Sequence, residues 1–187
     1  MMTFSPVNPA RLWCAALIAL AAPPVGAYDT GSIGVFSDPS AGSCNITDVA
    51  AIVNVEVVLV NSAGATHVSF AVEEADGVRM TYAAETIHFN LKLGDTREGI
   101  QITFAACRTG TVHLATLRYS GTGTTTACEE IRVVPHPDVG SVRIYDCEQN
   151  PYTTPGGGFA FVRNDGACGC DVATEESTWG RIKSLYR

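Results

Sequence analysis

The sequence predicts an all-β protein: an antiparallel β-sandwich stabilised by disulfides, with a short helical tail at its C-terminus. Three observations predict it. Apolar residues alternate with polar ones along much of the chain, no amphipathic helical pattern of ten or more residues appears between Tyr28 and Ala173, and six cysteines follow an export-type leader. Alternation at a period of two marks strands with one buried face. Two sheets stacked face to face are the natural way to bury such faces.

The leader comes first. Arg11 is the only charged residue before an unbroken apolar run from Leu12 to Ala22, which is closed by Pro23, Pro24 and the small residues Val25-Gly26-Ala27. This is the three-part layout of a signal peptide, so residues 1–27 are read as one and Tyr28 as the mature start. The run is well short of the roughly 20 residues a membrane-spanning helix needs. Cys14 lies inside it and leaves with it.

Residues 28–187 carry 11 Lys and Arg against 19 Asp and Glu. This acidity disfavours nucleic acid, whose phosphates require a basic surface, and favours a soluble chain. The length suits one domain with a real core, placed at residues 28–170, with 171–187 as a linker and a short amphipathic basic tail. Cys44, Cys107, Cys128, Cys147, Cys168 and Cys170 remain after cleavage and read as three disulfides whose connectivity the sequence leaves open. Cys168 and Cys170 are too close to pair with each other and bridge to different neighbours. No zinc-type cysteine spacing is present.

Val53, Val55, Val57 and Leu59 alternate with Asn54 and Glu56 until Asn61 and Gly64 break the run. Ile87, Phe89, Leu91 and Leu93 alternate up to Gly94-Asp95, and Ile100, Ile102 and Phe104 lead into Cys107. Further strands fall at 33–36, 68–72, 111–119, 131–134, 142–145 and 159–162, giving about nine in all for a sandwich of this size. Val57, Phe89, Ile102 and Phe104 are expected in the core, with Glu56 and Lys92 on solvent. At the end of the chain Trp179, Ile182, Leu185 and Tyr186 fall at helical spacing behind Ser177 and Thr178. Arg181, Lys183 and Arg187 make this tail basic, opposite in charge to the body. Trp179, Ile182, Lys183, Leu185 and Tyr186 are the candidates for recognition by a sorting or attachment machinery.

Ile33-Gly34-Val35-Phe36-Ser37-Asp38, Val57-Val58-Leu59-Val60-Asn61, the segment from Leu117 to Thr126 before Cys128, Cys168-Gly169-Cys170 and the stretch from Thr178 to Arg187 together resemble uncharacterised secreted proteins of Gram-negative bacteria. That resemblance implies export and brings no activity or functional residue. The strand-Asn-Gly-strand pattern from Val55 to Phe70 is more weakly similar to cohesin-like and carbohydrate-binding sandwiches, which implies an Ig-like or cohesin-like fold.

Catalytic signatures are missing. There is no Gly-x-Ser-x-Gly elbow, no His-Glu-x-x-His and no phosphate loop with its Lys, and Pro155-Gly156-Gly157-Gly158 reads as a turn. In Glu73-Glu74, Glu129-Glu130 and Glu175-Glu176, strand neighbours point to opposite faces, so at most one acid of each pair lines a common site. His67, His88, His113 and His136 are scattered singly, although a sheet could bring His88 and His113 together.

The sequence therefore predicts a secreted module (periplasmic, cell-surface or extracellular) that is not an enzyme. It has no cofactor, metal or membrane span after cleavage. Its partner is a protein or a glycan, met through loops or through Tyr82, Tyr119, Tyr145 and Tyr152. A glycan-binding module and a hydrolase with a dispersed site are the alternatives.

Overall fold

A computed structural model describes residues 31–166, 168 and 169. The leader at 1–27, Cys170 and the tail with Trp179, Ile182, Lys183, Leu185 and Tyr186 lie outside the described residues. Ten strands form among the described residues: β1 (Ser32–Phe36), β2 (Asn45–Thr47), β3 (Ile52–Glu74), β4 (Thr81–Ile87), β5 (Lys92–Asp95), β6 (Gly99–Ser120), β7 (Glu129–Val134), β8 (Val142–Tyr145), β9 (Pro151–Thr154) and β10 (Phe159–Arg163). No helix occurs among the described residues.

β3 and β6 are the axis of the fold, paired antiparallel from Ile52↔Ser120 to Phe70↔Ile100. Around them the larger sheet adds β1 on β3 and β4 on β6 at one end. At the other end it adds β5 on β6, and β8 with β9 on β3. The last residues of β3, Ala71–Glu74, leave this sheet and pair with β7, which continues to β10 and β2 as the smaller sheet. The inner faces bury Val35, Val55, Val57, Ile100, Ile102, Leu117, Ile131 and Val162 almost completely.

Several expectations are corrected. β2 and β10 run parallel, from Phe161↔Asn45 to Arg163↔Thr47, so the sheet is mixed and not purely antiparallel. β2 arrives by a crossing from the other layer, and only a hairpin would have forced the antiparallel sense. The break expected at Asn61 and Gly64 does not end a strand. Register shifts between Leu59 and His67 absorb the extra residues as bulges, and Asn61 adopts φ 54° within them. Gly64 is required there, because a Cβ would meet Cys147 Sγ at 2.5 Å and Cys107 Sγ at 3.1 Å. Conversely, the run from Ile87 to Leu93 is split between β4 and β5, leaving Leu91 and Leu93 exposed. Phe89 is half-buried, its ring 4.7 Å from that of Phe104, whereas Val57, Ile102 and Phe104 are in the core.

Disulfides join Cys107 to Cys147 and Cys128 to Cys168, and Cys44 is also disulfide-bonded. The glycine run belongs to the core architecture. Gly158 N–H donates to Ile33 O at 2.8 Å and Val133 N–H donates to Gly158 O at 3.1 Å, so the segment bridges the two layers. A Cβ at Gly157 would lie 2.3 Å from Ile33 O.

Aspartates fix the connections. The buried Asp48 carboxylate accepts the backbone N–H groups of Thr122, Gly123, Thr124 and Thr125 at 2.8–3.0 Å. Asp38 does the same for Ser40, Gly42 and Ser43, and Asp146 for Glu148 and Asn150. Each turns a cluster of unpaired donors into charge-assisted hydrogen bonds. These bonds hold the Asp48 carboxyl far below the usual aspartate range even though burial opposes them.

Candidate functional site: an acidic groove

β3 runs past the end of β6, where Val72 N–H donates to Thr96 O at 2.6 Å, and a groove of about 620 Å³ forms beside it. Glu73 and Glu74 come from β3, Tyr82 and Glu85 from β4, Asp95 from the end of β5, and Arg97 and Glu98 from the turn between β5 and β6. Pro135 and Pro137 close the far wall. Both Glu73 and Glu74 line it, contrary to the expectation of one acid per pair.

The floor is an ordered chain of contacts. Buried Tyr119 donates its hydroxyl to Glu74 Oε1 at 2.8 Å, and Arg97 Nη2 donates to Glu74 Oε2 at 3.1 Å. The Arg97 guanidinium lies 5.0 Å from the centre of the Tyr82 ring, and Tyr82 stands edge-on to Tyr119 at 5.7 Å. Glu85 accepts the backbone N–H of Thr96 at 3.1 Å and also its hydroxyl. Asp95 shapes the turn by accepting the N–H groups of Arg97 and Glu98 at 2.9 and 2.8 Å. Burial, reinforced by Glu85, pushes the Tyr82 hydroxyl up to about 12. Burial and Glu74 push Tyr119 higher still. Five carboxylates and one arginine thus line the groove; Glu74, Glu85 and Asp95 are held by these bonds, and Glu73 Oε2 accepts from Arg132 Nη2 at 3.1 Å.

The other residues singled out by sequence are dispersed. Alternation does bring His88 and His113 together, with ring centres 4.0 Å apart. His113 Nε2 is 2.8 Å from Glu56 Oε2, and Thr116 donates to the same oxygen at 2.6 Å. Glu56 is therefore buried and bonded, not on solvent. Burial, then the neighbouring His113, lowers the pKa of His88. Among the described residues no group of three or more His, Cys, Asp and Glu is arranged to hold a metal ion. Tyr119, expected at the surface, is core, while Tyr82 is half-buried and Tyr152 is exposed. Glu129 packs beside Gly77 away from the groove, and Glu175-Glu176 lies outside the described residues. Sequence reasoning missed Arg97, Glu85 and Thr96. The one signal for Thr96 and Arg97 was a charged tight turn, Gly94 to Gly99, between two alternating runs.

No family model matches the chain, and no curated protein matches it. Two solved structures are similar to it. One is a cohesin module from the family 33 glycoside hydrolase of Clostridium perfringens ATCC13124, at 5% identity over 72% of this chain and 98% of that one, with a TM-score of 0.46. The other is a non-cellulosomal cohesin from the hyperthermophilic archaeon Archaeoglobus fulgidus, at 8% identity over 81% of this chain and 98% of that one, with a TM-score of 0.46.

Proposed function

We propose that the chain is a non-catalytic binding domain exported from the cytoplasm, with the leader removed before Tyr28, and that the acidic groove docks a cationic partner, a Lys- or Arg-bearing protein segment. The carrying observation is the groove itself, which Glu73, Glu74, Glu85, Asp95 and Glu98 line together with Arg97 beside the Tyr82 ring, Glu73 being paired as well with Arg132 at 3.1 Å. Carboxylates placed beforehand bind a cation with a smaller ordering penalty. The disulfides Cys107–Cys147 and Cys128–Cys168 support work in an oxidising compartment.

Calorimetric titration of the disulfide-intact protein with an Arg/Lys-rich peptide, and with an acidic peptide of equal length, tests this reading. Only the basic peptide binds, its affinity falls with added salt, and Glu73→Gln combined with Glu98→Gln weakens it about tenfold. Equal binding of the two peptides, or none, overturns the reading.

A further inference from the structure

The outer face of the larger sheet carries a second recess whose chemistry differs from that of the acidic groove. Residues paired directly across strands share a face. The registers Thr103↔His67↔Tyr145 and Gln101↔Ser69↔Arg143 therefore lay two rows side by side across β6, β3 and β8. Between them alternate Ile102, Val68 and Ile144, all buried on the core side. The recess has a volume of about 520 Å³, with Tyr145 and His67 as its rings, Thr66, Thr103 and Gln149 as its polar groups, and the core residue Phe104 at its border.

Those polar groups are uncharged and held in position. His67 Nδ1 lies 2.9 Å from Thr103 Oγ1 and Nε2 lies 3.1 Å from Ser69 Oγ. Thr66 donates its hydroxyl to Asp146 O at 2.8 Å and accepts from Gln149 Nε2 at 2.9 Å. Burial, with help from the Arg143 guanidinium, lowers the His67 pKa and so disfavours the charged imidazolium. Tyr145 stands edge-on to His67 at 5.3 Å, and Arg143 Nη1 donates to the Tyr145 hydroxyl at 3.2 Å. No carboxylate of the described residues lines the recess, although the chain carries a net charge of −7.

We propose that this recess is a binding subsite for a sugar ring of a neutral glycan, packed against Tyr145 and hydrogen-bonded by Gln149, Thr66 and Thr103. The chemistry of the lining selects this occupant. The lining side chains carry no carboxylate or guanidinium, the Arg143 guanidinium at the edge is already engaged by the hydroxyl and ring of Tyr145, and hydroxyl and amide groups beside an aromatic ring match a ligand with alternating C–H and O–H surfaces. A ligand hydroxyl replaces the Thr66–Gln149 contact with one of the same kind, so little hydrogen bonding is lost on entry. This site is independent of the acidic groove.

Native affinity electrophoresis tests the assignment, with the whole disulfide-intact protein run through gels cast with galactomannan, mixed-linkage β-glucan, dextran or soluble starch. At least one polysaccharide retards the wild type. Tyr145→Ala weakens that retardation about tenfold, and Tyr145→Phe keeps most of it. Gln149→Asn withdraws the amide by one carbon while retaining a residue that tolerates the left-handed φ of 68° at this position, and it weakens retardation severalfold. Tyr152→Ala is without effect, because Tyr152 pairs with Ile144 and belongs to the opposite face. The Glu73→Gln, Glu98→Gln double variant is also without effect, which separates this site from the groove. If Tyr145→Ala does not fold by far-ultraviolet dichroism, Gln149→Asn decides alone. Absence of retardation by all four polysaccharides, or retardation unchanged in the folded recess variants, overturns the proposal.

Discussion

The carboxylate of Asp48 accepts both the backbone N–H and the hydroxyl of Thr125, at 3.0 and 2.9 Å, in a contact closed to solvent. Together with the N–H groups of Thr122, Gly123 and Thr124, it makes one buried charge the organiser of the loop between β6 and β7. Asp48→Asn turns an acceptor toward those donors into an amide and leaves several of them unmatched. It costs about 2–4 kcal/mol in urea unfolding.

The same contact sets acid sensitivity. The folded-state pKa of Asp48 is depressed below its ordinary 3.8, so its contribution is complete above that value and is lost as the pH falls through the folded-state value. Asp38 and Asp146 are shifted in the same direction by their own loop hydrogen bonds. Stability therefore declines below about pH 4, and the gap between wild type and Asp48→Asn narrows as it does. A gap independent of pH contradicts the assignment.

At the alkaline end the sign reverses. Tyr82 and Tyr119 have raised pKa values in the folded state, so the stability they confer is fully present below the unfolded tyrosine value of 10.0 and is lost as the pH rises through the folded values. Ultraviolet titration of phenolate shows one tyrosine ionising near 12, and Tyr82→Phe removes that step.

Burial separates two apolar positions that look alike in sequence. Phe104 is 5% exposed and Leu93 is 71% exposed. Phe104→Ala costs about 3–5 kcal/mol, whereas Leu93→Ala stays within about 0.5 kcal/mol. Comparable losses at the two sites contradict the β5–β6 register.

Each described disulfide spans 40 residues of sequence, for which chain entropy gives about 4 kcal/mol. Replacing Cys107 and Cys147 together by Ser lowers unfolding stability by about 2–5 kcal/mol. Non-reducing digestion followed by mass spectrometry yields peptides linking Cys107 to Cys147 and Cys128 to Cys168, and any other linkage of these four contradicts the fold.

Strand identity was legible wherever one face is core and the other solvent, as in Val53 to Leu59 and Ile100 to Phe104. The meeting of His88 and His113 followed from the same alternation. Continuity was not legible. Asn61, Gly64 and Gly110 are turn residues by type, yet bulges let β3 and β6 continue through them. β2 and β9 are too short to show a period, and the parallel partner of β2 lies more than 100 residues away along the chain. The acidic groove was hidden because its side chains come from segments far apart in sequence. Glu85 and Arg97 read as ordinary surface charges until the fold sets them beside Thr96 and Tyr82.

β3 gives its first nineteen residues to one layer and its last four to the other. Neither layer can melt while its neighbour persists unless this one strand is cut in the middle of its hydrogen-bond ladder. Heat is therefore absorbed in a single step, with calorimetric and van't Hoff enthalpies equal. A protease meets either the whole sandwich or the open chain, so its rate of cleavage reports the global unfolding free energy.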